Sequence, residues 1–164
     1  MSKPFYIIGF MGTGKSSLAP FLKQNGKVDD LDEIIESRIK MDIATYFKQS
    51  GEEAFRDHES KALKETDGDF ILTGGGVVER SVNMEWMQRH GTVVHLSLPF
   101  EDCWERIKDS ERPLVRQGKA AVESLYRRRL SLYEQADVRV DASRPPREVA
   151  QYIIQLKEEE HGLD

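Results

Sequence analysis

Eight residues close to the N-terminus carry the most explicit chemistry in this chain. Gly9-Phe10-Met11-Gly12-Thr13-Gly14-Lys15-Ser16 matches G-x-x-x-x-G-K-[ST] at every fixed position. Glycines at these spacings let backbone N–H groups turn inward onto phosphate oxygens, and a helix starting at the end of the loop adds its positive pole. Lys15 then supplies a point charge to the β- and γ-phosphates of a nucleotide, and the Ser16 hydroxyl a ligand for Mg²⁺. An ordinary glycine-rich turn has no need of that lysine and hydroxyl together. At average residue frequencies the pattern occurs by chance in fewer than about 1% of chains of this length.

Other residues could do chemistry beside such a loop. Asp30 and Asp32 stand two apart, and Asp30 with Glu33 three residues on also reads as a helix capping box. Arg56 and Glu59 are one helical turn apart, a spacing that equally suits a surface ion pair. Gly74-Gly75-Gly76 closes an apolar run, where an ordinary turn seldom needs three glycines. In Arg127-Arg128-Arg129, helical spacing gives Arg129 the neighbours Leu125, Tyr126, Leu132 and Tyr133, whereas Arg127 neighbours Glu123, Ser124 and Ser131. An arginine in an apolar stripe requires an anionic partner, either a ligand carboxylate or an internal acid. Three histidines, His58, His90 and His95, show no metal-ligand spacing, and Trp86, Trp104 and Cys103 read as packing residues.

The elements that must position these groups follow from the apolar pattern. Buried strands are predicted at Phe5–Ile8, Phe70–Thr73, Thr92–Leu98 and Val138–Val140. Helices are predicted from Lys15 to about Gln24, from Val82 to His90 with Gly91 as C-cap, from Phe100 to Lys108, and from Ala120 to Gln135. Strands alternating with helices imply a parallel sheet that binds ligands at the carboxyl ends of its strands. Residues 31–64 break the alternation and read as helical. Leu31, Ile34, Ile35 and Ile39 make one face, Ile43 and Phe47 another, and Gly51 separates these from a helix through Phe55, Ala62 and Leu63. Residues 109–119, polar and carrying Arg112, Arg116 and Lys119 around Pro113 and Gly118, read as a mobile lid.

Composition narrows the field. At 164 residues one domain is expected, 1–164, and a net charge of −5 argues against a nucleic-acid or acidic-membrane binder. The lone cysteine permits no internal disulfide, so a reducing compartment is expected. The chain opens Met1-Ser2-Lys3-Pro4 and enters an apolar run too short for a signal peptide or a membrane span, which predicts a cytoplasmic protein.

Taken in order, the motifs resemble those of shikimate kinase across nearly the whole chain. They are the glycine-rich loop in its Gly9-Phe10-Met11-Gly12 form, Asp30-Leu31-Asp32 with Ile35-Glu36, Gly51-Glu52 with Phe55-Arg56 and Glu59, Gly74-Gly75-Gly76, Arg112-Pro113-Leu114, and Arg129 with Leu132-Tyr133. The resemblance implies a P-loop kinase fold, with a five-stranded parallel sheet flanked by helices, an inserted helical substrate-binding unit at 31–64 and a lid at 109–119. It implies that Asp30 helps Ser16 hold Mg²⁺, and that Asp32 binds substrate hydroxyls and accepts the proton. Arg56, oriented by Glu59, and Arg129 would take the substrate carboxylate, with Gly74, Gly75 and Gly76 approaching substrate and γ-phosphate. Arg112 would swing onto the transferring group. Gly12, Thr13, Gly14, Lys15, Ser16, Ser17, Arg106, Arg112 and Arg144 would bind ATP, with Lys15, Asp32 and Arg112 catalytic. A monomer is expected. Three departures stand out: the stretch from Lys15 to Asp30 is about two residues short, Lys40 replaces a usual glycine, and Ser17 replaces a usual threonine. The first leaves Asp29 competing with Asp30 for the metal role.

The chemistry implied is in-line phosphoryl transfer from MgATP to a small carboxylated polyol, shikimate, at its 3-hydroxyl. Rival readings are a kinase for gluconate or a nucleoside monophosphate, and a protein that binds ATP without turning it over. Asp32 disfavours a dianionic acceptor, and intact Lys15, Ser16 and both aspartates disfavour a binding-only protein.

Overall fold

A computed structural model describes residues 3–162; Met1 and Ser2 lie outside them. Five strands make one parallel sheet: β1 (Phe5–Ile8), β2 (Val28–Asp30), β3 (Phe70–Leu72), β4 (Thr92–Ser97) and β5 (Val138–Asp141), in the spatial order β2-β3-β1-β4-β5. β1 and β3 are buried along their whole length, as continuous apolar runs covered on both faces must be. Helices α1 (Lys15–Leu22), α2 (Leu31–Ile39), α3 (Ile43–Lys64), α4 (Ser81–His90), α5 (Phe100–Ile107), α6 (Lys119–Tyr133) and α7 (Pro146–Gly162) flank it. Among the described residues no helix is long and apolar enough to cross a membrane.

Two elements go beyond the sequence expectation. β2 is a three-residue edge strand whose residues are all half-buried, two of them aspartates, so its side chains give little strand signal. α7 continues the chain after β5, burying Val149, Ala150 and Ile153 and packing along α1. α4 ends at Gly91 as expected, but not in a left-handed cap. Gly91 is extended at φ −167°, and a Cβ there would lie 2.1 Å from the carbonyl oxygen of Pro4. Close backbone approach, not handedness, requires that glycine.

Residues 31–64 form two helices and a kink, as their pattern predicts. Gly51, at φ 86° and ψ 169°, breaks α3 into an N-terminal and a C-terminal piece. α2 is capped by Asp30, whose Oδ1 accepts from the Glu33 N–H. It ends at Lys40, the one non-glycine residue with positive φ among the described residues.

Sheet register sets the rest. β1 pairs with β3 through Ile7 and Leu72, and β3 with β2 through Leu72 and Asp30. The loop after β1, the glycines after β3 and the aspartates where β2 ends therefore emerge side by side at one edge. Thr73 ties two of these together, its N–H and hydroxyl both donating to the Ile7 carbonyl. The order of strands reverses at β1, the position where α/β sheets open a crevice.

Candidate active site

A cleft of about 520 Å³ opens at that edge. Its floor is the loop from Met11 to Ser17, and its walls include Asp30, Asp32, Gly74, Gly75, Arg106, Arg112 and Arg144. Gly12 and Gly14 have φ of 88° and 95°, the left-handed region that turns successive N–H groups inward, and Gly12 also lies so close to the Cys103 backbone that a Cβ would meet it at 2.9 Å. Lys15 begins α1, and its ammonium donates to the carbonyls of Gly9 and Phe10. Burial lowers its pKa to about 8; Asp32 pulls upward and Arg112 further down.

The two aspartates at the end of β2 and the start of α2, Asp30 and Asp32, have separate duties. Asp30 caps α2 and lines the cleft. Asp32 does not cap; it faces Gly74, close enough that a Cβ on the glycine would lie 2.9 Å from Oδ1. Burial raises the Asp32 pKa, the Asp30 charge adds to the rise, and Lys15 opposes it. Asp29 points elsewhere, its Oδ2 accepting from the N–H groups of Asp67 and Gly68 in the connection between α3 and β3. Of the two residues that compete for the metal role, Asp30 lines the cleft and Asp29 does not.

Beyond the glycine triplet lie two buried arginines. Arg56 is not on the surface: it and Glu59 are both buried, and its Nη1 donates to Glu59 Oε1 at 2.9 Å. Burial raises the Glu59 pKa against the pull of Arg56. The Arg56 guanidinium packs against Gly76, where a Cβ would sit 2.1 Å from Nη2. Arg129 is likewise buried on the inner face of α6, whereas Arg127 is exposed and paired with Glu123. Helical spacing alone had separated the two. Gly75 lies against both Arg129 and the phosphate loop: a Cβ there would stand 3.4 Å from Arg129 Nη1 and 3.7 Å from the Met11 nitrogen. Asp32, Arg129 and Arg56 thus each lie against one glycine of the triplet, and of the three only Asp32 also lines the cleft.

On the opposite side, Arg106 bridges the loop to the chain after β5, donating to the carbonyls of Gly12 and Ala142. Arg144, Pro146 and Val149 complete that end of the cleft. Arg112 reaches the cleft from the 109–119 segment, which holds its place through the buried Val115.

Two contributors escaped the sequence reading. Tyr133, read only as an apolar neighbour of Arg129, donates its hydroxyl to the Gly75 carbonyl and fixes the triplet from below. Glu79, two residues after the triplet's following valine, accepts from Arg129. No local pattern marks either contact. His95 stacks on Tyr133 at 5.3 Å, and burial lowers its pKa to about 4, so it stays neutral behind the loop.

The shikimate kinase family model matches residues 11–158. A shikimate kinase of Aquifex aeolicus is 36% identical over 155 residues, covering 91% of this chain and 92% of the relative, and one of Lactococcus lactis is 38% identical over 154 residues, covering 90% and 93%. Among solved structures, shikimate kinase from Acinetobacter baumannii in complex with shikimate superposes with a TM-score of 0.86 at 30% identity, covering 95% of this chain and 93% of that one.

Proposed function

The chain belongs to the shikimate kinase family, and we propose that its cleft transfers the γ-phosphoryl group of ATP to the 3-hydroxyl of shikimate, giving shikimate 3-phosphate. The observation that carries this reading is the arrangement about the glycine triplet, where Asp32 lies against Gly74, Arg129 and the phosphate loop against Gly75, and Arg56 against Gly76. A phosphate donor on the loop and a hydroxylated carboxylate acceptor on these three side chains would meet at a backbone that has no side chain to separate them.

In this reading Gly12 to Ser17 cradle the ATP phosphates, Arg106 and Arg144 flank the base, and Lys15 leaves its loop carbonyls for the β- and γ-phosphates. Ser16 and Asp30 offer hard oxygen donors from two sides of the cleft, which fits a Mg²⁺ completed by phosphate oxygens and water. Among the described residues no cluster of three or more acidic, histidine or cysteine side chains could hold a metal unaided. The ion would come with the nucleotide and supply charge neutralisation across its β- and γ-oxygens.

Residues 31–64 and the triplet hold the acceptor. Arg56 and Arg129 take the carboxylate through planar forks that an ammonium cannot imitate. Asp32 accepts a hydrogen bond from the attacking hydroxyl and receives its proton, the raised pKa bringing it closer to a working base. Arg112 comes down with the 109–119 lid onto the transferring group, excluding water that would otherwise hydrolyse ATP. Nothing in this scheme calls for a partner chain, nucleic acid or membrane, and we place the enzyme in the cytoplasm as a monomer.

An ADP-release assay across shikimate, quinate, gluconate and nucleoside monophosphates tests the acceptor. Shikimate should exceed every other acceptor in kcat/KM, and preferential turnover of gluconate or a nucleotide would overturn the assignment.

A further inference from the structure

After the glycine triplet the chain makes a single 3₁₀ turn, Val77–Glu79, against α6. The carboxylate of Glu79 holds two guanidinium groups at once. Its Oε2 accepts from Arg128 Nη2 at 2.6 Å and from Arg129 Nη2 at 3.3 Å. The two arginines are not equivalent, because the Arg128 side chain is 64% exposed and that of Arg129 only 11%. Glu79 is the only carboxylate in an ion pair with Arg129 among the described residues. The Arg129 Nε is buried with no hydrogen-bond partner, and its Nη1 lies toward Gly75.

We propose that Glu79 is a positioning residue for recognition of the acceptor carboxylate, gripping Nη2 of Arg129 so that the remaining edge of the fork faces the glycine triplet. The inference rests on the reading of Arg129 given above. A guanidinium on a flexible stem costs rotamer entropy when a ligand orders it, and a fixed partner on one edge removes much of that cost beforehand. Charge fits as well. One carboxylate between two guanidinium groups leaves a net single positive charge, which matches a monoanionic acceptor, and Arg128 covers Glu79 from solvent. Glu79 does not line the cleft, so it acts through Arg129 and has no contact with the reacting atoms.

The alternative is that Glu79 merely ties the 3₁₀ turn to α6. A double-mutant cycle separates the two. Wild type, Glu79→Gln, Arg129→Met and the double variant are assayed with shikimate varied at saturating MgATP, then with MgATP varied, and their melting temperatures recorded. Glutamine keeps the shape of Glu79, and methionine keeps the volume of the Arg129 stem while Arg128 remains to partner Glu79. Glu79→Gln should raise the KM for shikimate roughly five- to ten-fold, the weak end of a charge-assisted bond shared between two donors. It should leave kcat and the KM for ATP within about two-fold, and its effect should vanish in the Arg129→Met background. An unchanged KM, or an equal effect with and without Arg129, would overturn the inference while leaving the enzyme a shikimate kinase. A wild type that does not turn shikimate over would overturn the functional reading and the inference with it.

Discussion

Gly76 and Arg56 are in such close contact that a β-carbon on the glycine would lie 2.1 Å from Nη2 and 2.6 Å from Cζ of the arginine. The guanidinium cannot easily retreat, since Glu59 holds Nη1 at 2.9 Å and Glu52 takes Nε and Nη2 at 3.3 Å.

Gly76→Ala should therefore fold but bind acceptor badly. The backbone at φ −97°, ψ 10° is open to alanine, so the cost falls on Arg56 and not on the turn. Displacing a substrate-binding group by about 1 Å can cost as much as about a hundred-fold. We expect the KM for shikimate to rise at least about ten-fold while that for ATP stays within about two-fold. Steady-state kinetics with each substrate varied checks this, and an unchanged acceptor KM would show that Arg56 is not in the acceptor site.

Lys15 gives a pH dependence whose sign is fixed. Burial lowers its pKa to about 8, so the free enzyme loses the ammonium as pH rises through that value. Bound phosphates favour the charged form and move the titration upward. Accordingly kcat/KM for MgATP, which reports the free enzyme, should fall above about pH 8, whereas kcat should hold to higher pH. Profiles of both from pH 6.5 to about 9.5 check the split; a kcat/KM flat across that range would contradict it.

Arg112 reaches the cleft from the 109–119 segment and lies near enough to Lys15 to lower its pKa. Assigned to the charge of the transferring group, it should matter to kcat and little to binding. Arg112→Ala is expected to lower kcat by about a hundred-fold or more with the acceptor KM within a few-fold. A change confined to the acceptor KM would move Arg112 into the acceptor pocket.

Lys40 stands exposed at the end of α2 with φ 59° and ψ 36°, a conformation that favours glycine. Lys40→Gly should stabilise the protein by about 1 kcal/mol, raising Tm by about 2–4 °C, with kinetics unchanged. Thermal denaturation of both proteins decides it, and a lower Tm would show that the lysine side chain contributes more than the strain removes.

Much of this was legible in the sequence, and the limits have physical causes. The phosphate loop, the break at Gly51 and the inward face of Arg129 depend on local spacing, so a single chain displays them. β2 was not, because an edge strand of three half-buried residues needs no apolar alternation. The turn of Asp29 away from the cleft depends on hydrogen bonds to residues nearly forty positions away, which no local pattern records. The burial of the Arg56–Glu59 pair, the hydroxyl of Tyr133 on Gly75 and the two arginines on Glu79 are likewise tertiary facts.

The central claim is that Asp32 and the glycine triplet form the acceptor site of a shikimate kinase, and substitution of Asp32 tests it most directly. Asparagine matches aspartate in size, and Asp30, not Asp32, caps α2, so Asp32→Asn should remain folded. It removes the negative charge and turns donors toward the hydroxyl. With MgATP saturating and shikimate varied, kcat/KM should fall by about ten- to a hundred-fold for the lost charge-assisted bond, with a further fall in kcat of about a hundred-fold from the lost base. ATP binding, measured separately, should be unchanged. A folded Asp32→Asn protein with kcat/KM near that of wild type would contradict the account.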